Sequence, residues 1–324
     1  MSGADPDFFF RSFKKYAQDK SFYQRYPVAQ FKSFEDMGKH GSYDVIVFGT
    51  SVANMGWAEI MRQDFGMRIC NAWPFLNQFN SRNAGGKILD NYNKINDHKK
   101  ALLLYCNFTE TWELNLEMLD DVKEPERMVE PREAAASTFF TPLSRVIRRA
   151  DWWIHVLRWP QVVVINLNGD DEVFFISDLA SLTAKREYDK YAYSKLVRQL
   201  KHFKERAAEH NCRFAIAAFP NKAQQYEWLL LETGKIKSIS PRINTQTLKK
   251  AAQECDIPFL DIEEKLTPIA KEVYAKERAL LWWRDDTHVN GLGAKYIAGI
   301  IKEFIDSLDK YYVQKNQGVQ YEFR

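Results

Sequence analysis

Three uninterrupted apolar runs constrain the fold of this chain more than any other feature: Val45 to Phe48, Ala101 to Cys106, and Phe214 to Phe219. A strand with one face in water alternates polar and apolar residues. Runs without that alternation fit strands covered on both faces. Helical patterns lie between them. The order of strands and helices therefore predicts a parallel sheet with helices on both sides.

Read along the chain, Tyr43 to Phe48 is the first expected strand, Met67 to Asn71 the second and Ala101 to Cys106 the third. Arg213 to Phe219, closed by Pro220, is the fourth and Pro258 to Ile262 the fifth. Helices are expected over Ala53 to Phe65, Asn80 to Asn93, Tyr191 to His210, Asn244 to Glu254 and Gly291 to Leu308. Residues 112–185 break the rhythm. They begin acidic, with Asp120, Asp121, Glu124, Glu126 and Glu130, and continue basic and aromatic. This stretch reads as an insertion after the third strand, with Gln161 to Asn166 as an extra strand. The expected organisation is a helical extension over 1–42, a main domain over 43–111 and 186–312, the insertion, and a tail over 313–324.

The 324 residues carry a net charge of only +3, too little to argue for a nucleic-acid partner. Hydrophobic residues at 45% and charged residues at 27% are ordinary for a globular protein. No apolar run approaches the roughly 18 residues of a membrane span, and no signal peptide is visible. The four cysteines show no metal-ligand spacing, so neither a zinc site nor another cofactor is expected. Cys70 and Cys106 sit in apolar runs as buried thiols. Cys212 and Cys255 each precede a predicted strand, and neighbouring parallel strands would bring them close enough to bridge.

Two segments carry the chemistry. Gly49-Thr50-Ser51 follows the first strand, and Asp285-Asp286-Thr287-His288-Val289-Asn290-Gly291-Leu292-Gly293 precedes the last helix. Ligands of open parallel sheets bind beyond the C-terminal strand ends, and Ser51, Asn71, Asn107 and Asn221 all lie there. A serine at a helix start can be a nucleophile whose own N–H helps to hold an oxyanion. It can equally be an N-cap. A histidine base needs a partner on its second ring nitrogen, and Asp285 or Asp286 could supply it. The two aspartates could also simply cap the helix.

These residues resemble the SGNH, or GDSL, hydrolase superfamily. Gly49-Thr50-Ser51 is similar to its first block, with Thr50 in place of the usual aspartate. The segment from Asp285 to Gly293 is similar to its last, Asp-x-x-His with a later glycine. Within that superfamily the chain looks most like the SGNH-like proteins of cell-envelope O-acylation, which serve alginate and other exopolysaccharides and teichoic acid D-alanylation. Phe219-Pro220-Asn221-Lys222-Ala223 resembles the Pro-x-Lys segment of the alginate proteins. The resemblance implies an α/β, flavodoxin-like three-layer sandwich with about five parallel strands.

For function, it implies an O-acyltransferase for an extracytoplasmic polysaccharide, working through an acyl-serine beside a membrane-bound O-acyltransferase. Ser51 is then the nucleophile and His288 the base. Asp285 is the orienting acid by the commoner spacing, with Asp286 as the alternative. Ser51, Ala72, Asn107, Asn221 and Lys222 are the expected oxyanion or substrate contacts. Asn71-Ala72-Trp73 stands where the family has its oxyanion glycine, and only Asn107 remains of the third block. The insertion's Trp152, Trp153 and Trp159, with Arg145, Arg148 and Arg149, could meet sugar rings or a membrane interface, or simply pack an inserted helix. The expected location is extracytoplasmic and membrane-associated, through a segment outside this sequence. An acetylesterase of the same superfamily and a non-catalytic glycan- or partner-binding scaffold are the competing readings. A dinucleotide enzyme is not expected, since no Gly-x-Gly-x-x-Gly follows the first strand.

Overall fold

A computed structural model describes residues 20–77, 83–97, 99–108, 118–120, 162–167, 170–175, 190–239, 241–283 and 288–316. Five strands form one parallel sheet: β1 (Val45–Gly49), β2 (Ile69–Asn71), β3 (Ala101–Phe108), β6 (Cys212–Phe219) and β7 (Phe259–Asp261). Their order is β2-β1-β3-β6-β7, the flavodoxin-like arrangement when sheet strands are counted in sequence. Two further strands among the described residues, β4 (Val162–Leu167) and β5 (Asp170–Phe175), make a separate antiparallel pair. β4 answers the expected extra strand, shifted by one residue. β5 opens on Asp170, Asp171 and Glu172, and its apolar part, Val173-Phe174-Phe175, is too short to have marked a strand in the sequence.

Both faces of the sheet are covered, which is why its strands read as continuous apolar runs. Val45 and Val47 pack with Leu102, Leu104, Ala215 and Ala217 into one core. The helices Trp57–Asp64, Ile262–Glu277 and Gly291–Asn316 supply that core's outer layer. Ile46 and Phe48 point the other way, to join Leu103, Tyr105, Phe214 and Ile216. There the cover is Ala84–Asp90, Tyr92–Asn96, Lys190–Glu209 and Ile243–Glu254. This is the period-two pleat of a strand, with both sides apolar.

Several boundaries differ from the sequence reading. The helix expected from Ala53 is a 3-10 turn, Ser51–Asn54, followed by a break at Gly56 and then Trp57–Asp64. Gly56 has φ +80, and a Cβ there would lie 2.7 Å from the Phe22 ring. The helix expected over Asn80–Asn93 is two short ones that meet at Asn91. The closing helix continues to Asn316, beyond the expected start of the tail. Within 1–42, Lys20–Arg25 and Phe34–Lys39 are helical, and Tyr26 and Met37 are buried in the main cores.

The chain beyond β3 is anchored at Gly85 and Gly86, where the Gly86 N–H donates to Leu119 O at 2.8 Å. Most of the insertion, including all its singled-out Trp and Arg residues, lies outside the described residues. Cys212 and Cys255 are not bridged; all four thiols are free. Cys255 does not extend β7 backward. It ends the helix Ile243–Glu254, and Asp256 then turns with φ +51. Its Sγ lies 3.5 Å from Val197 O, whereas Cys212 Sγ lies 3.6 Å from His210 O.

Candidate active site

The C-terminal end of β1 is shaped by Gly49. Its φ is +132, and a Cβ there would fall 2.0 Å from Cys106 O in β3. Only glycine permits both. The Thr50 N–H then donates to the same Cys106 carbonyl at 2.9 Å, so the chain leaves the sheet while still tied to β3.

Ser51 opens the 3-10 turn. The turn's bond from Ala53 N–H to Thr50 O, at 3.0 Å, does not involve the Ser51 N–H. Two side chains fix the rest of the turn. Trp57 Nε1 donates to Val52 O at 2.9 Å, and Asn71 Nδ2 donates to Ala53 O at 3.0 Å. Asn71 Oδ1 in turn accepts from Trp73 N–H at 3.2 Å. Glu59 Oε1 lies 3.4 Å from Asn71 Nδ2, and Glu59 is 3% exposed. Burial raises the Glu59 carboxyl above its ordinary range, which its hydrogen bonds and Arg62 only partly offset.

His288 arrives on a short hairpin. Trp282 bridges Val289, Trp283 N–H donates to His288 O at 3.0 Å, and Asn290 N–H to Leu281 O at 2.9 Å. The Asn290 carboxamide donates to Leu280 O at 2.7 Å and accepts from Gly293 N–H at 3.0 Å. One residue thus joins the hairpin to the start of the closing helix. The outcome is that His288 Nε2 stands 3.0 Å from Ser51 Oγ, with both residues half-buried. In the tautomer protonated on Nδ1, Nε2 accepts the serine hydroxyl proton. Asp285 and Asp286 lie outside the described residues.

The other expected contacts take different positions. The Ala72 N–H is donated to Val47 O at 2.9 Å, so it belongs to the β1–β2 ladder and not to an oxyanion. Asn107 lies within β3, paired in register with Ala218, and at 1% exposure is enclosed by the sheet. Asn221 is equally enclosed and forms a capping box with Gln224, accepting from its N–H at 2.7 Å. Lys222 is fully buried, its Nζ 2.5 Å from Trp283 O. Of the expected site residues, Ser51 and His288 meet; Asn221 serves as a helix cap, and Lys222 bonds the hairpin that carries His288.

Sequence reasoning passed over Trp57, Glu59, Tyr226 and Phe22. The Tyr226 hydroxyl accepts from Leu281 N–H at 2.7 Å. The Phe22 ring rests on both Gly56 and Gly291, since a Cβ on either would lie 2.7 Å from it. The Tyr226 position follows Lys222 by one helical turn, the only pattern that hinted at it. Phe22 carried no signal, because aromatic residues crowd that whole terminus. No family model matches this chain, and neither a curated protein nor a solved structure matches it.

Proposed function

We propose that the protein is a serine acyltransferase of the SGNH type, transferring an acyl group, acetyl in the first instance, to a polysaccharide hydroxyl. The observation that carries this reading is the 3.0 Å approach of His288 Nε2 to Ser51 Oγ at the C-terminal edge of a parallel sheet. That is hydrogen-bond reach for a general base and its nucleophile.

In the first step Ser51 Oγ attacks the donor's acyl carbonyl while its proton passes to Nε2. The oxyanion forms next to the Ser51 N–H, which the turn does not use. Collapse expels the donor's leaving group, which takes the proton from His288. In the second step the acceptor hydroxyl gives its proton to Nε2 and attacks the acyl-serine, and Ser51 recovers the proton as it leaves. Asp285, with Asp286 as the alternative, is proposed to orient Nδ1. The acceptor is proposed to be an extracytoplasmic glycan, and the donor side a membrane-bound O-acyltransferase. Water in place of the sugar hydroxyl makes the same site an esterase.

The test is incubation with a chromogenic acetyl ester, read by intact mass, beside Ser51→Ala and His288→Ala. An acetyl adduct on the parent protein that disappears in Ser51→Ala supports the nucleophile. Acetylated glycan oligomers on addition of acceptor then select transferase over esterase. A folded parent that neither acquires an adduct nor turns over ester sinks the catalytic reading and favours a binding scaffold.

A further inference from the structure

We infer that Lys222 is a positioning residue for His288, acting through the hairpin and making no substrate contact; the inference rests on the proposed catalytic roles of Ser51 and His288. A fully buried lysine demands a reason. Its ammonium carries three donors and no acceptor, and removing it from water is costly unless acceptors replace the lost hydration. Here Lys222 is 0% exposed and its Nζ donates to Trp283 O at 2.5 Å.

The place of that carbonyl gives the bond its meaning. The hairpin's own ladder uses Trp283 N–H, bonded to His288 O, and Leu281 C=O, bonded to Asn290 N–H. It leaves the Trp283 carbonyl and the Leu281 N–H of the same arm to be satisfied elsewhere. Both partners come from the segment just after β6. Lys222 Nζ takes the carbonyl, and the Tyr226 hydroxyl takes the N–H at 2.7 Å. The two anchors are four residues apart, one helical turn, while the groups they hold are two residues apart along an extended arm. Trp283 is therefore bonded on one side to the buried ammonium and on the other to the backbone of His288. Moving Lys222 moves the residue whose N–H fixes the histidine. A charge-assisted bond of this kind is among the stronger ones available.

The experiment compares the parent protein with Lys222→Met, which keeps the volume and removes the ammonium. A second variant, Lys222→Ala, is assayed with and without added propylamine. A fluorophosphonate probe measures the labelling rate of Ser51, with Ser51→Ala as the blank. Hydrogen exchange of the peptide spanning 280–290 reads the hairpin without reference to activity. The expected result is labelling at least about tenfold slower in Lys222→Met, with ester KM within about twofold of the parent and faster exchange confined to 280–290. Propylamine should recover part of the labelling in Lys222→Ala. Parent-like labelling and parent-like exchange in Lys222→Met would overturn the inference, as would a rise in KM with kcat unchanged. If the parent itself fails to label above the Ser51→Ala blank, the catalytic reading fails. Exchange in 280–290 then still decides whether Lys222 holds the hairpin. If Lys222→Met does not fold, the propylamine response of Lys222→Ala decides.

Discussion

Replacing Asn71 by aspartate tests the support beneath the nucleophile turn. The side chain keeps its shape but loses both amide hydrogens. Ala53 O then loses the donor that stood 3.0 Å away, and a buried unsatisfied carbonyl costs about 1–3 kcal/mol. The new carboxyl also stands where Nδ2 lay 3.4 Å from Glu59 Oε1, and two buried carboxyls at that spacing cannot both ionise. The two effects together are expected to cost about 3–6 kcal/mol at pH 8, against a total stability of about 5–15 kcal/mol for a typical domain.

The pH dependence has a definite sign. Burial raises the introduced group above its unfolded value of about 3.9, just as burial already raises Glu59. The folded state then binds more protons than the unfolded state, and stability is lost as pH rises from about 4 through the raised folded value. Protonated, the carboxyl can again donate to Ala53 O. Asn71→Leu, by contrast, should lose stability with a weaker pH dependence, because it introduces no new carboxyl and removes only the Asn71 hydrogen bond that lowers Glu59. Urea midpoints of the parent, Asn71→Asp and Asn71→Leu, taken at pH 5 and pH 8, make the comparison. With a slope near 3 kcal/mol per molar, the aspartate variant should unfold about 1–2 M earlier at pH 8 and recover much of that at pH 5. Adding Glu59→Gln should restore part of the loss at pH 8. A midpoint at pH 8 equal to the parent's, or an equal deficit at both pH values, would refute the argument.

Three further outcomes are expected. Gly49→Ala must relieve a 2.0 Å clash with Cys106 O at φ +132, so Tm should fall by about 6–12 °C and Ser51 labelling should vanish, checked by calorimetry and probe labelling. Gly291→Ala should destabilise the parent, where Phe22 occupies the space of the new methyl, but be neutral or better in Phe22→Ala; a double-mutant cycle by urea unfolding should show coupling above about 1 kcal/mol. All four cysteines should alkylate in denaturant without reductant, and only slowly in the native protein, because burial raises every thiol and pushes Cys212 up to about 11. Mass spectrometry with and without urea reads both.

The sheet was legible because its central strands are apolar on two faces, and runs as short as Val45 to Phe48 and Ala101 to Cys106, spaced between helical patterns, fit buried strands better than helices. The meeting of Ser51 with His288 was legible because each sits at a marked transition, one after a strand and one before a helix. The remainder depended on direction. Asn71, Asn221 and Lys222 all lie at strand exits, where position alone predicts substrate contact. Yet the Asn71 side chain turns inward to Ala53 O, Asn221 caps the helix that follows it, and Lys222 reaches Trp283 O. Rotamer choice decides among these, and a pattern of residue types does not encode it. The break at Gly56 was hidden for a similar reason: the expected helix ran from Ala53 through the glycine, and only the Phe22 ring, far earlier in the chain, shows what a side chain there would meet.

The contact between Ser51 and His288 spans 237 positions of the chain. At about 5–20 residues per second of synthesis, the serine waits roughly 10–50 s for its histidine to be made. Through that interval the growing chain carries a hydroxyl that no base has yet touched. By the proposed mechanism, a product that stops short anywhere before the hairpin is silent, however well its first strands have folded. Under the proposed chemistry, the order of the chain ensures that reactivity appears only after the last strand of the sheet has been added.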